Sequence, residues 1–194
     1  MSPRIVGGMT DLRALLRALP GFVPDLPVLD PDAAPHDPNT LFSQWFEDAL
    51  EQEDRQPHAM SFSTVRPDGT PVARTLILKD VDASGYQFST HSTSRKGMEL
   101  ADDPRCTMLF WWRSAGRQVR ITGTAHALDE AASQADWEAR PSYTGRPNPD
   151  WQLYALQPEE FEFMQAREDR NHTRLEYRLE GGEWTHGLVP TPAG

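Results

Sequence analysis

From His58 onward the chain breaks into short β-like runs, each ended by a tight-turn signal, and this pattern restricts it to an antiparallel β architecture. In "AMSFSTVRPDGTPVARTLILKD" two such runs flank "RPDGTP", where Asp68-Gly69 is a strong hairpin signal. "DASGYQFSTH" adds a turn and a strand. "RCTMLFWWRSAGRQVRITGTAHAL" reads as two strands around a turn at Ser114-Ala115-Gly116. "EEFEFMQAR" and "HTRLEYRLEGGEWTHGLVP" give a final strand and a hairpin turning at Gly181-Gly182. Three helical patterns sit among or before these runs. "DPNTLFSQWFEDALEQE" begins near Asp37 to Asn39 and aligns Leu41, Phe42, Trp45, Phe46 and Leu50 on one stripe, predicted to be core. "TSRKGMELADDP" ends before Pro104, and "DEAASQADWEARP" stops at Pro141. The expected fold class is mainly β with peripheral helices, closed into a barrel.

Proline divides the rest. Many of the 17 prolines fall in Pro20–Pro38 and Pro141–Pro158, which read as irregular connections, and residues 142–157 show no clear period. The chain therefore divides into residues 1–36, a helical arm and Pro-rich linker, and residues 37–194, the main domain. In the arm, "TDLRALLRALPGF" predicts a short helix capped by Thr10 or Asp11 and closed by Pro20, with Leu12, Leu15, Leu16 and Leu19 on one face. Such an arm lies on another surface, crosses to a partner or covers a site.

Charge and cysteine usage exclude several function classes. A net charge of −10 makes nucleic acid a poor partner, because neutralised phosphates supply much of that affinity. The single cysteine, Cys106, rules out an intramolecular disulfide and a four-cysteine zinc site, and its apolar run "CTMLFWW" makes it core. No run of 18 apolar residues and no leader pattern occurs, so no membrane span is expected and the cytoplasm is the default address. There is no GxGxxG, no phosphate-loop lysine motif, no HExxH and no nucleophile elbow, and the six histidines lack metal-ligand spacing, so no metal is expected. His126, in a strand-like stretch, reads as structural.

What remains is a spread of basic and hydroxyl residues at strand ends. "RTLILK" carries Arg74 and Lys79, which a regular strand turns to opposite faces unless a bulge intervenes. "STHSTSRKG" sets Ser89, Thr90, Ser94, Arg95 and Lys96 at the start of a helix, where free backbone N–H groups favour an anion. Arginine binds a phosphate bidentately and lysine as a point charge. Each group alone also fits a solvated charged turn. A third group, "GRQVR", places Gln118 at a strand start.

The ordered set "RTLILK", "STSRKG", Asp103-Pro104 before an apolar strand, "GRQVR", "RP" after a helix, and Arg170-x-His172-x-Arg174 near the C-terminus resembles the pyridoxine/pyridoxamine 5'-phosphate oxidase family. The likeness runs from about Asp37 to Pro141 and resumes from about Gln157 to Pro190. It implies an FMN-binding split β-barrel that works as a homodimer. By the same likeness, Arg74, Thr75, Leu76 and Ile77 line the FMN phosphate and ring edge. Ser89, Thr90, Ser94, Arg95 and Lys96 hold the phosphate and ribityl chain. Gln118 approaches the ring across the dimer interface, and Arg174 contacts FMN from the C-terminal hairpin. Lys79 and Arg140 hold a small substrate's phosphate, with the catalytic pair Arg170 and His172 over the substrate. The implied reaction oxidises pyridoxamine or pyridoxine 5'-phosphate to pyridoxal 5'-phosphate, with hydride passing to the flavin and oxygen as acceptor.

Three departures bear on the substrate. Asp136 stands where the family has a tyrosine among its substrate-phosphate ligands, and an acid there costs phosphate affinity unless it is turned away or paired. The segment 142–156 is short and lacks the family's Gln-Ser pair. Met164 replaces a tryptophan expected against the flavin. These changes keep two alternatives open: an FMN-dependent oxidoreductase of a specialised metabolite, resembling the phenazine-pathway oxidases, and a non-catalytic flavin or B6-phosphate binding protein.

Overall fold

The computed structural model describes residues 11–190; Thr10, one of the two expected capping residues, lies outside them. Four helices and nine strands form along the described chain. In order they are α1 (Leu12–Arg17), α2 (Pro38–Glu51), β1 (Ala59–Val65), β2 (Pro71–Ile77), β3 (Asp80–Asp82), β4 (Gly85–His91), α3 (Arg95–Asp102), β5 (Arg105–Trp112), β6 (Arg117–Ala127), α4 (Glu130–Glu138), β7 (Trp151–Gln165), β8 (Thr173–Glu180) and β9 (Glu183–Leu188). Local chemistry accounts for most boundaries. Asp11 caps α1 by accepting from the Arg13 N–H, and Asp37 caps α2 by accepting from the Asn39 N–H, with Pro38 at the first helical position. Gly69 takes a φ of 83° in the β1–β2 hairpin, a backbone conformation that glycine adopts without a Cβ penalty.

The strands form one antiparallel sheet in the order β2-β1-β5-β6-β7-β4-β3, with β8 beside β7 and β9 beside β8. The first and last strands of that order, β2 and β3, are separated in the chain only by Leu78 and Lys79. The Leu78 N–H donates to the His58 carbonyl before β1, and the Lys79 N–H donates to the Gln87 carbonyl on β4. Neighbouring residues thus bond to opposite ends of the sheet and draw its two ends together.

Alternation along the strands builds the core. Met60, Phe62 and Thr64 of β1, Cys106, Met108, Phe110 and Trp112 of β5, and Val119 and Ile121 of β6 are all buried. From α2, Leu41, Phe42 and Trp45 join them; Phe42 meets Tyr86 and Phe110 edge-on at 5.0 and 5.3 Å. Leu50, expected on that stripe, is exposed, and Ala49 takes the buried position in the last turn of α2 instead. The leucines of α1 also remain exposed in the single chain.

The largest difference from the sequence reading lies in β7. Its first half, Trp151–Leu156, pairs with β4, and its second half, Glu160–Gln165, pairs with β8, while β6 runs beside most of it. The stretch read as irregular therefore contains half of a central strand. Leu153–Leu156 are buried in succession, so no two-residue period shows. Pro158 is tolerated because the β6–β7 register shifts at Thr122/Gly123, just opposite it. A Cβ on Gly123 would stand 1.9 Å from the Gln157 carbonyl oxygen, so the backbones meet there only through glycine.

Cys106 is buried as expected, and burial, aided by Glu159, pushes its thiol up to about 12. The native protein is therefore expected to resist a thiol-labelling disulfide reagent at pH 8 and to take up one equivalent once denatured. Rapid labelling of the folded protein would contradict the burial.

Candidate functional site

The expected residues fall into three groups. The first surrounds the N-terminus of α3. Ser94 is its cap, its Oγ accepting from the Gly97 N–H at 3.2 Å. The Thr90 and Ser94 hydroxyls lie 3.2 Å apart, and Lys96 Nζ reaches Ser94 Oγ at 3.4 Å. Burial and then the charge of Arg74 lower the Lys96 pKa, against an opposing pull from Glu99. Arg95 is exposed beside it. Ser89 Oγ is buried with no hydrogen-bond partner among the described residues. A buried hydroxyl left in that state is uncommon and points to a polar group that completes it. The helix N–H groups, two cations and an unsatisfied hydroxyl fit the phosphate end of FMN.

Arg74 joins this group through a residue that sequence reasoning missed. Its Nη2 sits 2.8 Å from Glu99 Oε2, and its Nη1 donates to Thr64 Oγ1 at 2.6 Å. Thr64 also donates to Glu99. Burial works to raise the Glu99 carboxyl; the hydrogen bonds from Thr64 and Arg74 and the charges of Arg74 and Arg66 outweigh it and leave a net lowering. Glu99 thus fixes the direction of Arg74. The run Arg74, Thr75, Leu76 and Ile77 does not share one face: Arg74 and Leu76 turn toward the interior, while Thr75 points outward.

The second group lies across the far end of β7. Gln118 of β6, Met164 of β7 and Arg174 of β8 stand side by side in register, with Trp111 of β5 beyond Gln118. Arg174 is held by Glu162 at 2.7 Å. Arg170 and His172 lie in the loop between β7 and β8, Arg170 exposed and at a φ of 62°. His172 Nδ1 accepts from the Arg167 N–H at 3.1 Å, which leaves Nε2 as the outward position. Burial, followed by the charge of Arg174, lowers the His172 pKa and favours the neutral ring. Phe22 of the arm meets His172 edge-on at 5.5 Å and Trp111 at 6.1 Å, and α1 lines a cleft of about 600 Å³ with Arg170.

The third group gathers Lys79 and Arg140 with residues not foreseen beside them. Lys79 Nζ is 3.5 Å from Asp136 Oδ1, and Trp151 Nε1 donates to Asp136 Oδ2 at 2.8 Å. The Arg140 guanidinium lies over the Trp151 and Trp137 rings at 4.2 and 5.2 Å. The acid that stands in place of a tyrosine is therefore paired, and its partner is one of the expected phosphate ligands.

The first two groups do not meet within one chain. Ser89 pairs with Leu153, whereas Gln118 and Arg174 flank Met164, eleven residues further along β7. That is roughly 35 Å of strand at about 3.3 Å per residue, more than one FMN spans. Among the described residues no cluster of His, Cys, Asp or Glu has the geometry to hold a metal ion, and no helix is long and apolar enough to cross a membrane.

Comparison with known proteins decides the lineage. Residues 46–165 match the family model described as pyridoxamine 5'-phosphate oxidase, and residues 151–189 match that of the pyridoxine 5'-phosphate oxidase C-terminal dimerisation region. The chain belongs to the pyridoxamine 5'-phosphate oxidase family. Two curated members of the family, each named pyridoxine/pyridoxamine 5'-phosphate oxidase, come from a Cyanothece species and from Rubrobacter xylanophilus. They are 37% and 36% identical to this chain, with 76% and 79% of the chain and 86% of each relative covered. The crystal structure of PhzG from Burkholderia lata 383 in complex with tetrahydrophenazine-1-carboxylic acid superposes with a TM-score of 0.79 at 29% identity, covering 86% of this chain and 99% of that one. A pyridoxamine 5'-phosphate oxidase-related, FMN-binding protein from Nostoc punctiforme shares the fold, with a TM-score of 0.66 at 17% identity over 77% of this chain and 97% of that one. This member of the pyridoxamine 5'-phosphate oxidase family thus has a sheet of nine antiparallel strands with few helices. Its C-terminal dimerisation region takes in β7, β8 and β9, the strands that carry Met164 and Arg174.

Proposed function

We propose that this chain is an FMN-dependent oxidase that works as a homodimer on a small planar heteroaromatic substrate. Residues 37–194 form its FMN-binding split barrel and residues 1–36 its arm. The observation that carries the reading is the buried, unsatisfied Ser89 hydroxyl on β4, next in the chain to Thr90, whose own hydroxyl meets the Ser94 cap of the Arg95–Lys96 helix. On this reading Arg74, Ser89, Thr90, Ser94, Arg95 and Lys96 hold the FMN phosphate and ribityl chain, and Thr75, Leu76 and Ile77 border the ring. Gln118 and Arg174 reach it from a second copy, since one chain keeps the two groups apart along β7. The family's dimerisation region over residues 151–189 supports that assembly.

FMN held by Arg74, Ser89, Thr90, Ser94, Arg95 and Lys96 would supply the two-electron redox chemistry of the reaction, with dioxygen as the acceptor. The protein's own contribution is position and charge. Arg170 orients the substrate through its polar substituents. His172, neutral and with Nε2 outward, hydrogen-bonds a polar substituent. Phe22, packed on His172, excludes water from that side.

The names of the relatives favour pyridoxamine or pyridoxine 5'-phosphate as substrate. One observation favours the second reading, a specialised metabolite such as a phenazine precursor: the Lys79–Asp136 pair occupies an expected phosphate ligand, and the PhzG structure carries a tetrahydrophenazine carboxylic acid. Purified protein mixed with FMN and pyridoxamine 5'-phosphate in air is expected to bind the flavin. Formation of pyridoxal 5'-phosphate with matching peroxide supports the first reading. A flavin-loaded protein without that turnover removes it and leaves the oxidase reading to be tested on phenazine precursors. Protein that neither carries nor takes up FMN removes both.

A further inference from the structure

We propose that the anchoring end of the substrate carries a single negative charge, a carboxylate on a planar ring, and that Asp136 is the residue that turns the site away from a phosphate dianion. This rests on the oxidase reading and narrows its substrate class.

The inference starts from how firmly Asp136 is held. Its two carboxylate oxygens have separate partners, Lys79 Nζ at 3.5 Å and Trp151 Nε1 at 2.8 Å, and its side chain is only 13% exposed. Swinging out toward solvent would break both contacts and leave the indole N–H without its acceptor. The wall behind it is equally fixed. Trp137 Nε1 donates to the Arg146 carbonyl at 2.8 Å, Tyr143 meets Trp137 edge-on, and Trp151 packs against His91 and Trp137. Asp136 is therefore a standing feature of this corner.

Charge then decides what the corner accepts. The Lys79 ammonium and the Asp136 carboxylate cancel, and Arg140, lying over the two tryptophan faces, is left as the uncancelled cation of the three. One guanidinium matches one carboxylate in a planar two-point contact. A phosphate dianion would need a second cation. To obtain Lys79 it must displace Asp136, and it then sits beside a partly buried carboxylate of like sign.

The test uses FMN-loaded full-length protein and follows ligand binding by quenching of tryptophan fluorescence, with Trp137 and Trp151 as the local reporters. Two matched probe pairs are titrated: pyridoxal 5'-phosphate against pyridoxal, and phenazine-1-carboxylate against phenazine-1-carboxamide. For the wild type, the carboxylate is expected to bind about tenfold or more tightly than its amide, the worth of one charge-assisted bond, and the phosphate no better than about threefold over pyridoxal. Asp136→Asn retains an acceptor for Trp151 while removing the charge, and is expected to raise the preference for pyridoxal 5'-phosphate by about tenfold. Adding Lys79→Met to that variant should cancel the gain. A wild-type preference of about tenfold or more for the phosphate overturns the proposal, as does a carboxylate no better than its amide; both measurements stand even if Asp136→Asn fails to fold. No gain in a folded Asp136→Asn also overturns it. Protein that takes up no FMN sinks the oxidase reading itself, whereas a flavin-loaded protein that prefers phosphate sinks only the charge assignment.

Discussion

The double replacement Arg95→Ala, Lys96→Ala is expected to weaken FMN binding by about 3 kcal/mol or more, roughly a hundredfold or greater rise in Kd. Each side chain would supply one charge-assisted bond to a phosphate, worth about 1.5–3 kcal/mol. Folding should hardly change, because Arg95 is exposed and, among the described residues, Lys96 hydrogen-bonds only to the capping hydroxyl of Ser94. The measurement is a titration of apoprotein into FMN followed by quenching of flavin fluorescence, with thermal unfolding of the same samples as the control. Undiminished flavin retention in a folded double variant would place the anion cradle elsewhere. A Ser89→Ala variant adds a finer reading: its hydroxyl has no partner among the described residues, so its loss should cost flavin affinity but not stability.

The second large effect concerns the core. Trp112→Ala should destabilise the fold by about 3–5 kcal/mol, the usual range for truncating a fully buried large aromatic. Trp112 is 1% exposed, packs on Phe42, Phe46 and Phe110, and donates from Nε1 to the Pro57 carbonyl at 2.9 Å. Its removal opens a cavity under α2 and strips that carbonyl of its donor. Its neighbour Trp111 points to the other face and is 42% exposed, so Trp111→Ala should cost much less stability. Urea unfolding at one fixed protein concentration compares the two. Equal losses would mean that the β5 alternation is misassigned.

The sequence signals that worked were short in range. Asp37 before a proline, Asp68-Gly69 between alternating runs and Gly181-Gly182 near the C-terminus each act within a few residues, and helix caps and turns form where they stand. The first half of β7 escaped notice because it is buried on both faces and its proline sits opposite a bulge whose partner strand is more than thirty residues earlier in the chain. Glu99 shows the same limit at the site. Its spacing from Arg95 suits an exposed helix pair, yet the fold turns it inward to Thr64 and Arg74. Nothing in the spacing of residues 64, 74 and 99 says that they meet. Likewise, Asp136 was visible as an unexpected acid, but its partners, Lys79 and Trp151, became identifiable only once α4 was laid against the start of β7.

The two-residue step from β2 to β3 has a consequence for how the chain must come together. Leu78 and Lys79 commit to opposite ends of the sheet, yet the strands that fill the space between those ends, β5, β6 and β7, are contributed by residues 105–165. A nascent chain halted before that stretch has both rims and no wall. Its two hairpins carry apolar flanks with nothing to rest on, the condition in which partly made β proteins associate with one another. The molecule therefore acquires its shape late in synthesis, and the long strand that ends at Gln165 is the one that joins its two halves.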